Sequence, residues 1–514
     1  MKKTSFIVGT IILAVINFLV RSLGFVYRII LSRVIGPQAI GLYQMVFPFL
    51  MVLIAIPTAG IPIAVSKLVA KENSLNNRSG VYRTLSISMF LGGVLAFILT
   101  VIVSFKIDYI ASNILKNEQL FYPMLWSIPA IALITFSSIL RGFFYGMTDI
   151  KPAAAAQIVE QITRIAFVLA YLFIKRPNHP VTAATIAIIG VSIGEFFGLL
   201  YLVLRFNFKK VMSKSMLHRA LDEKTSKLLG SILFISVPIT ISRLISTLMQ
   251  SVNSIIIPQR LQFAGYTSSQ ALEVFGKISG MAMPLLFLPF TVTSALVVNI
   301  IPNISEQMAI NNLRDVENKS SLAIKLTMLV AIPTSALFII FSDHIATLVY
   351  NQKDVGNYLA IISYATIFLC LNHTLSGILH GMGKQIITTI NFILGMGLQL
   401  YCTYFLIPNP KYGVNGFFIG YLIASILIFA LNAITLRRHI KLKLKLMDNL
   451  IKPLFSTAIM ILGMYVFYVG LSIVVKSNVI NTIIATVVGT ILYCLGLMIT
   501  KTIDFKHTIN SLKV

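Results

Sequence analysis

Long apolar stretches recur along this chain and are separated by short polar segments rich in lysine and arginine. A helix that crosses the hydrocarbon core of a bilayer needs about 20 apolar residues. The pattern therefore predicts an all-α polytopic membrane protein with fourteen transmembrane helices. The predicted spans are 5–32, 39–66, 80–105, 119–144, 152–174, 181–204, 228–256, 271–301, 320–341, 357–380, 385–407, 414–436, 451–475 and 479–500.

Prolines interrupt two of the predicted spans. Pro48, Pro57 and Pro62 lie in the second span, and Pro284 and Pro289 lie in the eighth. A proline inside a helix removes a backbone hydrogen bond and bends the helix. We therefore expect kinks at both places, with Pro48 and Pro57 as hinge candidates. The alternative is that these prolines only shape the helices.

The basic residues are distributed unevenly between the two sides of the predicted membrane. If the N-terminus is cytoplasmic, the extracytoplasmic gaps hold nine Lys and Arg, and the cytoplasmic gaps and termini hold most of the others. Cytoplasmic loops of membrane proteins carry an excess of Lys and Arg. This asymmetry predicts a bacterial inner-membrane protein with both termini in the cytoplasm, whose basic loops face anionic lipids.

The composition supports a membrane protein, and the uneven loop charges account for its positive net charge. The chain is 57% hydrophobic and 11% charged, with a mean hydropathy of +0.88. The net charge of +26 would suggest a nucleic-acid partner for a soluble protein, but here the loop asymmetry accounts for it. Cys370, Cys402 and Cys494 are isolated within apolar stretches, so we predict no disulfide framework, metal site or cofactor.

Two halves of the chain share short motifs in the same order. Gly142 and Gly146 end the fourth span, and Gly377 and Gly381 end the tenth in the same spacing. Gly190, Gly194 and Gly198 in the sixth span are similar to Gly416, Gly420 and Ala424 in the twelfth. Because each half has six helices, the repeats are expected to be parallel. The predicted domains are an N-lobe at 1–205, a basic cytoplasmic linker at 206–227, a C-lobe at 228–436, and a basic loop, two helices and a tail at 437–514.

Charged residues inside the spans are the candidates for function, because the chain has no Walker loop, GxSxG elbow or HExxH motif. Arg21 and Arg28 lie two turns apart on one helix face, which also carries Gly24. Such residues usually face a protein interior or an aqueous cavity. The other predicted cavity residues are Arg164, Arg243, Lys277, Glu160 and Glu195.

Two interpretations of these charges remain open. Glu160 and Arg164 are four residues apart and can pair on one helix face, so this pair could be purely structural. Arg21, Arg28 and Arg243 have no local acidic partner in the sequence. A central cavity with surplus positive charge suits an anionic substrate, and arginine is well suited to phosphate.

Four blocks of the sequence resemble the stage V sporulation protein B family. They are VRSLGFVYRIILSRVIGPQAIGLYQMVFP, GIPIAVSKLVAKE, LRGFFYGMTDIKPAAAAQIVEQITRI and GMAMPLLFLPFTVTSALVVNIIPNISEQ. That family belongs to the MOP flippase superfamily, with the MurJ-type lipid II flippases and the MATE drug exporters. The resemblance implies two six-helix lobes around a central cavity, and a final helix pair that lines a groove for a polyprenyl tail in the MurJ-type relatives.

The resemblance also implies a function and some site residues. It implies movement of an undecaprenyl-pyrophosphate-linked peptidoglycan precursor for the spore cortex, with cell-wall synthesis proteins as possible partners. Arg21 is similar to the first essential arginine of the lipid II flippases, and Arg28 lies one residue from the second. Lys277 is similar in place to their eighth-helix arginine, whereas their second-helix arginine is missing here.

Three functional classes compete. The flippase is favoured over a MATE-type cation-coupled exporter, because such an exporter needs an intramembrane carboxylate, and the first and seventh predicted helices have arginines without acids. A membrane-embedded glycosyltransferase is disfavoured because the extracytoplasmic gaps are short. A scaffold in cell-wall assembly stays open.

Overall fold

The structure is a computed structural model that describes residues 3–206, 224–442 and 446–502. All regular secondary structure in these ranges is helical. Most of the predicted linker 206–227, part of the predicted basic loop after Arg437 and the tail beyond residue 502 lie outside the described residues. Within the described ranges the all-α prediction is confirmed.

Every predicted span overlaps described helices, although α1 contains the first span and part of the second, and three spans are split over more than one helix. They are α1 Lys3–Thr58, α2 Ile61–Ser74, α3 Arg78–Tyr109, α4 Phe121–Gly146, α5 Ile150–Lys175, α6 Pro180–Arg205, α7 Lys224–Phe263, α8 Ser268–Phe275, α9 Met283–Leu286, α10 Phe290–Ala309, α11 Leu313–Ile340, α12 Ser342–Tyr350, α13 Asp354–Ser363, α14 Thr366–Gly381, α15 Gln385–Leu406, α16 Asn415–Arg437, α17 Lys452–Val474 and α18 Asn478–Ile499. A π-helical segment, Gly276–Ala282, joins α8 to α9.

Eleven of the described helices are long and apolar enough to cross a membrane. The count rises to thirteen if each of two bent pairs is one span. One pair bends by 53° between α8–α9 and α10, beside Pro284 and Pro289, so the kink predicted there is confirmed. The other bends by 51° between α13 and α14, and no proline lies in those two helices.

The first long helix is interrupted at a glycine. Gly36 has φ 78° and ψ 170°, a conformation that glycine adopts at no steric cost, and Pro37 follows it. The helix then continues through Pro48 and Pro57 to Thr58, and α2 begins after a break at residues 59 and 60. The second predicted span is thus broken just after Pro57.

The described chain forms two compact units. Unit 1 comprises Met1–Gln259 and Thr267–Gly276, and unit 2 comprises Arg260–Tyr266 and Lys277–Val514. The seventh helix, which the predicted repeat assigns to the second lobe, lies in unit 1 for nearly all of its length. Unit 1 has apolar cores between α1, α3, α4 and α6 and between α2, α3, α4, α5 and α6, and unit 2 has one between α10, α11, α14 and α16.

Local structure repeats between the units at a constant spacing along the chain. In each unit an asparagine caps a helix by accepting a hydrogen bond from a backbone N–H, Asn77 on α3 and Asn312 on α11. These two asparagines lie 235 residues apart in the sequence, and we call this spacing the repeat offset. The same offset separates three pairs of residues with positive φ, which are Asn76 and Asn311, Lys116 and Asn351, and Thr148 and Gly383. Each unit therefore repeats the same backbone turns in the same order.

The contacts correct one detail of the predicted repeat. A Cβ on Gly190 would meet Val168 and Arg164, whereas a Cβ on Gly420 would meet Gln399 and Thr403. The repeat offset leads from Arg164 to Gln399 and from Val168 to Thr403, so Gly190 is equivalent to Gly420. The sequence comparison paired Gly190 with Gly416, one helical turn away. Small residues at every fourth position allow either alignment, and only the packing partners distinguish them.

Candidate functional site

Two pairs of helices in unit 1, α4 with α2 and α6 with α5, are in close contact near the charged residues. A Cβ on Gly142 would lie 2.4 Å from the Pro62 carbonyl oxygen, so α4 contacts the start of α2 backbone to backbone. A Cβ on Gly194 would lie 2.8 Å from the Glu160 carbonyl oxygen and 3.3 Å from Arg164 Nε. The glycines of α6 thus form a shallow face against which Glu160 and Arg164 of α5 lie.

Four charged side chains meet at this place, and we call them the charge quartet: Arg141, Glu160, Arg164 and Glu195. Arg141 Nη2 donates to Glu160 Oε2 at 3.0 Å and to Glu195 Oε2 at 3.1 Å. Arg164 Nη2 donates to Glu160 Oε1 at 2.6 Å, which confirms the predicted i, i+4 pair. Glu160 therefore bridges both arginines, whereas Glu195 bonds to Arg141.

Arg141 is the member of the quartet that the sequence analysis did not single out. It lies inside the predicted span 119–144, within the block LRGFFYG. The signal was a charged residue in an apolar stretch, the same signal that identified Arg164. Arg141 Nη2 also donates to Ser137 Oγ at 2.7 Å, one turn earlier on α4.

The quartet is largely buried and its charges balance. The exposed fractions of its side chains are 17% for Arg141, 13% for Glu160, 16% for Arg164 and 7% for Glu195. The Nε atoms of both arginines are buried and have no hydrogen-bond partner among the described residues. An unsatisfied buried donor costs about 1–3 kcal/mol, so the arrangement is not optimised for stability alone.

The arginine face of α1 lies against the same part of unit 1. A Cβ on Gly24 would lie 3.6 Å from Gln161 Nε2, which places this face toward α5. Tyr43 on α1 interacts electrostatically with both Arg164 and Arg28. The buried hydroxyl of Tyr27 has no hydrogen-bond partner among the described residues. Arg28 and Arg164 therefore share Tyr43 as an electrostatic neighbour.

Arg21 and Arg28 differ from the arginines of the quartet in their pairing. Arg21 is exposed and Arg28 is half-buried. Neither forms an ion pair with a carboxylate of the described residues, whereas Arg141 and Arg164 both do. The positive charge of this region is therefore carried by α1.

The remaining predicted site residues lie elsewhere. Arg243, on α7 of unit 1, is exposed and has no ion pair with any described side chain. Lys277 belongs to unit 2, where its Nζ lies 3.3 Å from Asp354 Oδ2. A Cβ on Gly146 would meet Ser66 and Val69, one on Gly377 would meet Val297, and one on Gly381 would meet Ile301 and Ile304, so these glycines lie at close helix contacts. Among the described residues, no group of three or more His, Cys, Asp or Glu could hold a metal ion.

The many apolar helices define a multi-pass membrane protein, and the charges buried within them are typical of a transporter. The chain belongs to the polysaccharide biosynthesis protein family, whose sequence profile matches residues 6–308. A second profile, that of the MatE family, matches residues 261–405. The resemblance inferred from the four sequence blocks is confirmed.

Curated relatives and solved structures agree with this assignment. The chain is 28% identical to stage V sporulation protein B of Bacillus subtilis, over 87% of this chain and 86% of the relative. It is 24% identical to the lipid II flippase MurJ of the same species, over 76% of this chain and 75% of the relative. An inward closed structure of lipid II flippase MurJ matches with a TM-score of 0.70 and 16% identity, covering 95% of this chain and 98% of that structure.

Proposed function

We propose that this protein is a flippase that moves an undecaprenyl-pyrophosphate-linked saccharide, a peptidoglycan precursor, from the cytoplasmic to the outer leaflet by alternating access. The observation that carries the proposal is the unpaired state of Arg21 and Arg28 among the described residues. An arginine within the membrane needs an anionic partner or water. A pyrophosphate headgroup supplies that charge in the geometry that a guanidinium binds best.

The relatives support this class of substrate. One is named a lipid II flippase, and a solved lipid II flippase shares the fold. Another is named for stage V of sporulation, which supports a precursor of the spore cortex as the cargo. The direction of travel suits the charge, because moving an anion out of an inside-negative cell is favoured by about 2.3 kcal/mol per charge per 100 mV.

The finer architecture belongs to the same proposal. Thirteen spans follow when the bent pairs are counted as single spans, and the Gly36 break divides α1 into helices at 3–35 and 37–58. Counting these separately supports fourteen spans, an even number that places both termini on one side of the membrane, and the basic loops support the cytoplasmic side. The recurrence of caps and turns at the repeat offset supports two parallel six-helix lobes, 1–205 and 228–436. A linker at 206–227 and a final helix pair within 437–514 complete this proposed arrangement.

A MATE-type cation-coupled exporter is the second candidate, favoured by the MatE profile match and by the two buried carboxylates. Both carboxylates are paired with arginine, and the unpaired charges of α1 are positive. A site for cationic drugs requires the opposite sign. The flippase is therefore the better supported function.

The test is transport by alanine variants of the two unpaired arginines. We expect Arg21→Ala and Arg28→Ala each to abolish flipping of a lipid-linked pyrophosphate in proteoliposomes while the protein still accumulates in the membrane. A charge-assisted bond to phosphate contributes about 1.5–3 kcal/mol, which corresponds to roughly 10- to 100-fold in affinity. Lysine at either position should rescue only in part, because it keeps the charge and loses the bidentate geometry.

The matched control is Lys106→Ala, which removes an exposed positive charge from the last turn of α3. It should transport at the wild-type rate. Normal transport by Arg21→Ala and Arg28→Ala, or exchange of cationic drugs for Na⁺ by the wild type, would contradict the proposed function.

A further inference from the structure

The two repeats build the same helix contacts with different side chains at the charge quartet. The repeat offset places Ser376 at the position of Arg141 and Gln399 at that of Arg164. Glu195 follows Gly190 at the same spacing as Ser425 follows Gly420, so Ser425 stands at the position of Glu195. Unit 2 thus has neutral side chains where unit 1 has these three charges.

This comparison indicates that the shared helix contacts do not require these three charges. Unit 2 closes the same contact with neutral side chains, and Asn372 Nδ2 donates to the Ser425 carbonyl oxygen at 3.0 Å. Replacing a buried ion pair with neutral residues of similar volume is often neutral or stabilising. Unit 1 nevertheless retains four charges, one of which, Arg164, interacts with Tyr43 as Arg28 does. A role in handling the charged substrate explains their presence better than a role in holding helices together.

Glu160 occupies a special position within the quartet. Its Oε1 accepts from Arg164 Nη2 at 2.6 Å, and its Oε2 accepts from Arg141 Nη2 at 3.0 Å. Arg164 has Glu160 as its ion-pair partner among the described residues, and its Nε donor has no acceptor there. Arg164 is also the member of the quartet that shares a neighbour, Tyr43, with Arg28.

We propose that Glu160 is an internal competitor for the substrate phosphate, whose carboxylate occupies Arg164 while the site is empty and is displaced when the pyrophosphate arrives. This inference rests on the proposed function and adds how the substrate is released. A carboxylate and a phosphate compete for the same planar donors of a guanidinium. Return of Glu160 to Arg164 then helps to expel the headgroup after translocation.

The bridging geometry makes this exchange feasible. When Arg164 turns toward the phosphate, Glu160 keeps its second oxygen on Arg141, so no carboxylate is left buried without a partner. Arg141 also holds Glu195 at 3.1 Å and Ser137 at 2.7 Å, which fixes it in place. Arg164 is thus the mobile cation of the quartet, and Arg141 is a positioning residue that keeps Glu160 ready to return.

The experiment measures binding of farnesyl pyrophosphate, a short polyprenyl pyrophosphate, to the full-length protein in lipid nanodiscs. Glu160→Gln should bind the probe about tenfold more tightly and release it more slowly, because one charge-assisted competitor is lost. Flipping of a lipid-linked pyrophosphate should slow correspondingly, since release becomes limiting. Glu160→Gln/Arg164→Gln should lose the gain in affinity, because Arg164, which the first substitution frees to bind the probe, is then absent.

Two comparison variants make the test specific. Glu195→Gln removes the same charge from the quartet but leaves the Arg164–Glu160 bond intact, so its affinity should change much less than that of Glu160→Gln. Glu118→Gln removes an exposed carboxylate before α4 and should bind as the wild type does. Arg164→Gln alone places the unit 2 side chain in unit 1 and should weaken binding, which keeps the test decisive if Glu160→Gln fails to accumulate.

The outcomes separate this inference from the proposed function. Equal tightening by Glu160→Gln and Glu195→Gln would show an effect of net charge and overturn the competitor role. Unchanged or weaker binding by Glu160→Gln, with normal binding by the wild type, would also overturn it. Absence of probe binding by the wild type and all variants would overturn the proposed function and this inference together.

Discussion

At the scale of single residues, the two carboxylates of the charge quartet depend on Arg141. Its Nη2 atom bonds both Glu160 and Glu195, and Glu160 and Glu195 are both largely buried. Removing one partner of a buried ion pair leaves an uncompensated charge, which is strongly destabilising, whereas removing both partners is often tolerated. Replacing Arg141 is therefore expected to destabilise the protein, whereas replacing Arg21 or Arg28 is not.

We expect Arg141→Ala to lower the free energy of unfolding by about 3–5 kcal/mol, because it leaves Glu195 without an ion-pair partner among the described residues. Arg141→Ser/Glu195→Ser, which installs the side chains of the equivalent unit 2 positions, should recover part of that loss, because it removes the unpaired carboxylate but leaves the space of both side chains empty. Heating the purified protein and measuring the fraction that remains in solution compares the thermal stability of the single and the double variant. Equal destabilisation by the single and double variants would contradict this account of Arg141.

At the scale of helices, close contacts at glycines fix how α4 lies against α2 in unit 1 and how α14 lies against α10 in unit 2. The two contacts are equivalent by the repeat offset but differ in kind. A Cβ on Gly142 would meet the Pro62 backbone at 2.4 Å, whereas one on Gly377 would meet the side chain of Val297 at 2.9 Å. A side chain can turn away from an added methyl group, and a backbone carbonyl requires the whole helix to shift.

Gly142→Ala should therefore destabilise the protein by about 1–3 kcal/mol, and Gly377→Ala should destabilise it less. Gly397→Ala is the matched control, because Gly397 lies in the interior of α15 and a Cβ there meets nothing within 4 Å. The control should be neutral or stabilising by up to about 1 kcal/mol, since alanine favours helix. Thermal unfolding in one detergent compares all three, and a larger effect at Gly377 than at Gly142 would contradict the packing argument.

At the scale of the whole molecule, the loop charges set the orientation. Lys and Arg in short loops hold those loops in the cytoplasm during insertion. The proposed topology places the ends of α3 and α17 outside, with Lys106 and Lys476, and the starts of α5 and α11 inside, with Lys151 and Arg314. Lys106, Lys151, Arg314 and Lys476 are all exposed, so each position can be labelled.

We expect cysteines at positions 106 and 476 to react with a membrane-impermeant maleimide in intact cells, and cysteines at 151 and 314 to react only after the membrane is opened. The background should lack Cys370, Cys402 and Cys494, because Cys494 is exposed. Labelling of positions 151 and 314 in intact cells would reverse the topology. That result would also reverse the direction of transport proposed for the anionic headgroup.

The sequence by itself determined the helical segments of this protein. Each of the fourteen apolar stretches overlaps one or more described helices, because the length of an apolar stretch and its flanking charges are local properties of the chain. The kink beside Pro284 and Pro289 was predictable for the same reason, since proline acts on its own helix. The Glu160–Arg164 bond was also local, four residues apart on α5.

Only the tertiary structure decided which charges are paired and which are not. Arg141 meets Glu160 and Glu195 from two other helices, and no sequence period relates residues 141, 160 and 195. The bend between α13 and α14 could not be predicted from proline, because neither helix contains one. The alignment of Gly190 with Gly420 rests on the residues that each glycine packs against. Pairing across helices depends on how the helices pack. In the described structure the arginines of α4 and α5 pair with Glu160 and Glu195, and Arg21 and Arg28 of α1 form no ion pair with a described carboxylate.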